Sequence, residues 1–379
     1  MQRLTAAMLL VALAGTATLA IWSSDPFTEW TYEASVFLLA CWVALRAKPH
    51  LGLRLSIQVL LAAWGFGQLG AGATVYRYAT LNGSLRVAAF AATALVSSAV
   101  CSRPPERDRM LRGMAWFGSL LAVVSLVAYY ASPGRILWLL PSPYPDVWGP
   151  FLSRNNFAQF LELVLPVALW LGRTAPQAGD RPTYLWISAV ILACGLASAS
   201  RAGAVLLVSE ALAVWLLVRP KPGKRLAAGF AAGAIALAAL AGADTLIQRF
   251  GDSDPLRDRR EIFASSLEMI AQRPWTGYGL GTFATVYPEF ASFDPGALVE
   301  HAHNDWLEWA AEGGWPYAAL WLLMAIAAVR PALRTIWGIG VLAVFLHALV
   351  DYPFARFGVA GWLFILIGAF ENSTAKAAP

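Results

Sequence analysis

The chain has 379 residues, of which 58% are hydrophobic and only 13% charged. Soluble domains are about 45–50% apolar and about 25% charged, so this balance excludes a soluble enzyme, a disordered chain and a nucleic-acid-binding domain, and defines an integral membrane protein. The net charge of +5 names no partner, because basic residues also collect on cytoplasmic loops for topological reasons.

Spanning a hydrocarbon core takes about 20 mostly apolar residues per helix, and such runs number roughly twelve. They fall at 5–22, 31–46, 55–75, 84–101, 113–131, 155–172, 183–199, 202–218, 226–246, 316–330, 335–350 and 356–370. The expected fold class is therefore all-α: one polytopic domain over 1–379 with about 12 transmembrane helices, without an internal repeat or inverted symmetry. Arg3 ahead of the first run resembles a signal peptide, but with further spans behind it the segment is kept as a helix. Cys41, Cys101 and Cys194 lie apart in or beside apolar runs, lack the spacing of a zinc site or disulfide framework, and read as small apolar residues.

Assigning alternate loops to opposite sides puts more than half of the 28 basic residues on one side, including Arg46 and Lys48, Arg103 to Arg112, Arg219 to Arg225, Arg330 and Arg334, and Lys376. By the positive-inside rule that side, with both termini, is cytoplasmic. The opposite side then carries one large periplasmic loop, 247–315, too rich in aromatic and apolar residues to be disordered; loops of that length are functional when they are ordered. Inside it Ile262, Phe263, Leu267, Ile270 and Ala271 recur at helical spacing between Asp258, a cap, and Pro274, a stop. The spacing predicts a short amphipathic helix along the outer membrane face, and a headgroup anchor is an equally open reading of it.

Candidate chemical groups on the outer side are few. His50 is cytoplasmic and has no assigned role, whereas His301 and His303 close the long loop and His347 lies near the outer end of a span. A histidine at such a boundary can take a proton from a hydroxyl near neutral pH; a solvated or capping role stays open. Arg154 in SRNNFAQF and Arg201 in SASRAG sit at membrane edges, which is costly unless they face protein or anions. With Arg259, Arg260 and Arg273 they would form a cationic outer pocket suited to a lipid phosphate or pyrophosphate, the alternative being snorkelling to headgroups. Glu162 and Glu210 lie within spans and fit either an ion-coupled carrier or a hydrogen-bonded structural role. GYGLG (277 to 281) reads as a turn, since it lacks the βαβ context of a nucleotide loop, and there is no HExxH, P-loop or GxSxG.

His303-Asn304, nine residues, then Gly314-Trp315-Pro316-Tyr317, together with SRNNFAQF (153 to 160), SASRAG (198 to 203), RREIFASSLEMIAQRPWTGYGLGTF (259 to 283) and HALVDYPF (347 to 354), resemble the O-antigen ligase and O-antigen polymerase superfamily of bacterial membrane glycosyltransferases over about 150–355. The family's loop pattern of Arg, an aromatic, Pro and a Gly-x-Gly turn matches Arg259, Phe263, Pro274 and Gly277 with Gly279. The resemblance implies metal-independent transfer, with no cofactor, of a glycan from undecaprenyl pyrophosphate to an acceptor hydroxyl at the periplasmic face of the bacterial inner (plasma) membrane, in lipopolysaccharide or exopolysaccharide synthesis. His303 would be the general base, and Arg201 and Arg259 would hold the pyrophosphate. Direct attack opposite the leaving group would invert the anomeric carbon. Arg154, Arg260, His301, Asn304 and His347 are the implied substrate-binding residues. The implied partners are the lipid-linked donor, a glycan or lipid A-core acceptor and membrane lipids, with no nucleic acid.

Ligase, polymerase and protein-modifying transferase share the donor chemistry and differ in the acceptor. A short chain without an appended soluble domain argues mildly against the last. The alternative from another class is a lipid-linked oligosaccharide or polysaccharide flippase or transporter, which has no need of the histidine-bearing outer loop. A structural scaffold would leave Arg201 buried without a purpose.

Overall fold

The computed structural model describes residues 2–23, 25–46, 52–175, 177, 179–219, 224–252, 254, 256–292, 296 and 298–373. Lys48, His50, Lys221 and Lys376, and the side chains of Arg3 and Asp258, lie outside what is described. The helices are α1 (Gln2–Leu19), α2 (Pro26–Arg46), α3 (Leu53–Gly70), α4 (Arg77–Val100), α5 (Pro104–Ala131), α6 (Arg154–Thr174), α7 (Asp180–Ala197), α8 (Arg201–Leu217), α9 (Lys224–Leu240), α10 (Asp244–Phe250), α11 (Arg257–Gln272), α12 (Phe283–Val286), α13 (Asp305–Thr335), α14 (Ile339–His347) and α15 (Phe357–Ser373). A two-residue antiparallel pairing of β1 (Arg135–Ile136) with β2 (Leu140–Pro141) interrupts an otherwise all-α architecture.

Each of the twelve apolar runs coincides with a helix, yet among the described residues only three helices, α4, α5 and α13, are long and apolar enough to cross a membrane, or four if the bent α9–α10 pair is one span. The expected count of about 12 is therefore not what the helix lengths support. Three features shorten the helices. Two runs are cut: 226–246 bends by 88° between α9 and α10, and 335–350 is broken at Ile336 (φ 65°), so α14 keeps nine residues, a rise of about 13 Å. Others end early, α8 and α15 having 17 residues each. Large apolar side chains such as Leu38, Leu120, Leu212 and Ile326 nevertheless face outward, a surface that water does not tolerate and lipid does.

Helix α6 is the axis of the bundle. Phe157, Phe160, Leu161, Leu163, Val164 and Leu165 are all fully buried, so the helix is enclosed on every side; α5, α7, α8, α14 and α15 pack around it. Its start is fixed by Ser153, whose hydroxyl accepts from Asn155 N–H at 3.2 Å, as Ser200 caps α8 from Gly203 N–H at 3.2 Å and Asn304 caps α13 from Leu307 N–H at 3.2 Å. The amphipathic helix predicted in the long loop is α11. It begins at Arg257, with Leu256 rather than Asp258 in the N-cap position, and ends before Pro274. Ile262, Met269 and Ile270 are covered by Tyr278, Phe283, Tyr287, Ala310 and Ala311, so its apolar face lies on α13 and the 278–287 segment, while Leu267 and Ala271 of the predicted stripe are exposed.

The long loop ends earlier than 315, because α13 starts at Asp305 and turns at Gly314 (φ 75°, ψ 175°). At that kink the GYGLG turn docks: Tyr278 N–H donates to Ala311 C=O at 3.1 Å, Gly279 N–H to Glu312 C=O at 2.8 Å and Trp315 N–H to Pro274 C=O at 2.8 Å. A Cβ on Gly314 would stand 2.5 Å from the Trp275 carbonyl, and one on Gly277 (φ 63°) would overlap the Glu312 carbonyl. Both glycines are therefore required by close backbone approach as well as by sign of φ.

Candidate functional site

Five segments distant in sequence meet at one end of α6. The α14–α15 connection, 348–356, is pinned to the α13 start: Asp305 N–H donates to the carbonyls of Ala348 (3.0 Å) and Asp351 (3.2 Å), and its carboxylate accepts from Phe354 N–H at 3.1 Å. Arg259 of α11 donates to Val350 C=O. From α6, Gln159 donates to Asp351 at 3.3 Å and is itself held by Asn156 at 2.9 Å. The 198–200 turn joins α6 where Ser200 donates to Asn155 at 2.8 Å.

His303 occupies the middle of this junction. It has φ 51°, a left-handed conformation for a non-glycine residue that points to a constrained site. Its Nδ1 lies 3.6 Å from Asp351 Oδ1, and its side chain stays one-third exposed while Asp351 is buried. That separation exceeds a hydrogen bond, as catalytic pairs commonly do before substrate binds. Burial raises the Asp351 carboxyl, but the facing His303 and the charges of Arg259 and His347 outweigh it and pull the group down to about 2. Asp351 is thus a fixed negative charge behind the imidazole.

Arginines gather on the Asp351 side. Arg201 donates to Arg249 C=O at 3.1 Å and reaches Asp252 at 3.5 Å; Arg249 donates to Ala199 C=O at 3.1 Å. Arg249 lies within electrostatic range of Arg154, Arg201 and Arg259. Arg154 is paired with Asp146. Several of these guanidinium contacts go to neutral carbonyls, and a guanidinium has five donors, so the cluster is rich in positive charge and suited to an oxyanion.

The other predicted residues divide. Arg260 turns away to Asp254 with its side chain 63% exposed, so it does not join the cluster. Arg273 lies over the Tyr278 ring, 4.5 Å from its centroid. Asn304 spends its side-chain oxygen on the α13 cap. His347 is fully buried, its Nδ1 2.7 Å from Glu162, and Glu210 lies close enough to feel Glu162; these three form a polar line inside the bundle below Asp351. His301 is separated from His303 by the Tyr352 ring, stacked on it at 4.5 Å while His303 meets it edge-on at 5.0 Å, and is held by Glu308 at 2.9 Å. The two histidines thus face different surroundings.

Arg249 and Asp351 were not singled out from sequence. Asp351 lies inside HALVDYPF, but an isolated acid has no periodic signal. Arg249 carries none at all, since only the 88° bend after α9 brings it beside Arg201.

An apolar helical bundle with outward-facing leucines points to a membrane protein, and it carries a polar, cation-rich junction at the start of α6. Residues 184–322 match the family model described as O-antigen ligase, which supports the resemblance to the O-antigen ligase and O-antigen polymerase superfamily. That match supports a glycosyltransferase-type enzyme of O-antigen or polysaccharide synthesis. No curated protein matches the chain.

Proposed function

We propose that the chain transfers a glycan from undecaprenyl pyrophosphate to an acceptor hydroxyl at the periplasmic face of the inner membrane, as a ligase or polymerase. The observation that carries this reading is the junction itself: one histidine backed by an ionised aspartate, 3.6 Å away, beside arginines anchored on backbone carbonyls.

In the reaction, His303 Nε2 takes the acceptor hydroxyl proton as the oxygen attacks the anomeric carbon. The bond from that carbon to the pyrophosphate oxygen breaks, and undecaprenyl pyrophosphate leaves with the electron pair. Asp351, facing Nδ1, orients the ring and offsets the imidazolium charge. Arg201, Arg249 and Arg259 hold the pyrophosphate, with Arg154 at the margin, and neutralise the charge that grows on it. The imidazolium then returns its proton to water. Attack opposite the leaving group inverts the anomeric carbon. His347 and Glu162 act from below by fixing the 348–351 turn on which Asp351 is carried.

A transfer assay tests this: purified protein in detergent, an undecaprenyl-pyrophosphate oligosaccharide donor and candidate acceptors, in EDTA, with His303→Ala and Arg201→Ala as comparisons. Glycan attached by the wild type and absent with both variants supports the reading, and the acceptor consumed separates polymerase from ligase. Donor movement across liposomes by His303→Ala, with no acceptor modified by the wild type, would replace it with the flippase.

A further inference from the structure

On the far side of His301 from the arginines lies a cavity of about 560 Å³ between α2, α4, the 280–285 segment, the start of α13 and the 354–357 turn. That is the size of a small-molecule site, about 300–1,000 Å³. Its rim carries the partly exposed aromatic rings Trp30, Tyr76 and Tyr78. Its floor is built from carboxyls fixed by backbone donors: Glu308 accepts from Ala302 N–H at 2.8 Å and from His301, Glu312 from Phe283 N–H at 3.0 Å, and Asp305 from Phe354 N–H at 3.1 Å. The two arginines in the lining already have acidic partners, Arg86 with Glu29 at 2.7 Å and Arg356 with Glu300 at 4.0 Å.

This lining is the opposite of the arginine cluster. Each carboxylate oxygen can accept more than one hydrogen bond, so a row of carboxyls, even when held by backbone donors, suits a ligand dense in hydroxyls. Flat amphipathic rings at the rim offer apolar faces beside that polar floor. The arginines are already paired with acids and carboxyls line the floor, which disfavours a ligand that brings its own anion. The cavity also ends one ring from the proposed base, because His301 in its wall stacks on the same Tyr352 that His303 touches.

We propose that this cavity is the acceptor subsite and that it takes an uncharged or amino-bearing saccharide, excluding acidic ones. The assignment of the saccharide as acceptor rests on the transferase reading above; the binding chemistry does not. In it, hydroxyls donate to Glu308, Glu312 and Asp305, and sugar faces lie on Trp30 and Tyr78, so that the end of the saccharide reaches past His301 toward His303.

The test is equilibrium binding to the purified full chain in detergent, without donor, of three trimers: chitotriose (neutral), its deacetylated form (cationic) and trigalacturonate (anionic). Measurement is by calorimetry on wild type, Trp30→Ala, Tyr78→Ala and Arg201→Ala. The first two trimers are expected to bind, and trigalacturonate at least about tenfold more weakly; Trp30→Ala and Tyr78→Ala are expected to weaken chitotriose by about tenfold, the size of one lost aromatic contact. Arg201→Ala is expected to bind it as the wild type does. Trigalacturonate binding as tightly as chitotriose, chitotriose binding unchanged in both aromatic variants, or no trimer binding at all would overturn the site. Failure of the transferase reading is scored separately: it is absence of transfer in a protein whose trimer binding follows the expected pattern.

Discussion

Arg249 and Arg260 give the sharpest separation between sequence spacing and geometry. Arg260 sits in the matched loop pattern beside Arg259, whereas Arg249 belongs to no motif. Yet Arg249 donates to Ala199 C=O at 3.1 Å and its own carbonyl holds Arg201 at 3.1 Å, placing its remaining donors in the cluster. Replacing it by Gln removes one charge-assisted contact to a pyrophosphate, about 1.5–3 kcal/mol, which converts to a loss of about 10- to 150-fold in kcat/KM. Arg249→Lys keeps the charge and loses the planar fork, so an intermediate loss is expected. Arg260→Gln removes only an exposed pair with Asp254, worth about 0–1 kcal/mol to the fold, and, lying outside the cluster, leaves kcat/KM near the wild-type value. The assay is transfer from undecaprenyl-pyrophosphate oligosaccharide with donor concentration varied, with thermal unfolding to confirm that each variant is folded. An Arg260→Gln loss as deep as that of Arg249→Gln, or a fully active Arg249→Gln, would refute the assignment of the cluster.

Further outcomes follow from the same geometry. His303→Ala should cost about 10²–10⁴ in kcat, the usual contribution of a general base, while His301→Ala should act on acceptor KM; equal losses in kcat would remove the distinction drawn by Tyr352. Gly314→Ala combines strain of about 1–3 kcal/mol at φ 75°, ψ 175° with overlap on the Trp275 carbonyl, costing about 1–3 kcal/mol more; an unchanged unfolding midpoint in detergent would contradict the docking of GYGLG on the α13 kink. Asp351, held at about 2 against an ordinary 3.8, contributes about 2 kcal/mol of stability that is complete above pH 4 or so and is lost as pH falls through about 2. Asp351→Asn should lower stability at neutral pH and flatten that acid limb, so an acid limb of unaltered depth in the variant counts against the His303–Asp351–Arg259 arrangement.

Much of this was legible in the chain. Apolar runs specify helices wherever a backbone must satisfy its own polar groups in lipid, and every run is helical. Ser153, Ser200 and Asn304 cap the helices whose motifs they open, and GYGLG is a turn with positive φ at Gly277, Gly279 and Gly281, because glycine and capping residues act over a few bonds. Helix lengths were not legible: the breaks at 241–243 and 336–338 interrupt two segments that read as uninterrupted spans.

By itself, then, the sequence determined a bundle of apolar helices, the family pattern and the histidine that closes the long loop, all of which are encoded in local spacing. Only tertiary structure decided which charged groups share one centre. On a helix with 3.6 residues per turn, neighbours point about 100° apart; Arg259 therefore faces Val350 while Arg260 faces Asp254. Two residues from His303, His301 turns to Glu308 and the acidic cavity because the chain between them is not helical and His303 takes a left-handed φ. Arg249 and Asp351, 102 positions apart by their numbers, join the centre through the α9–α10 bend and the α14–α15 turn; no spacing rule reaches across such a distance, since it is fixed by how the helices pack around α6.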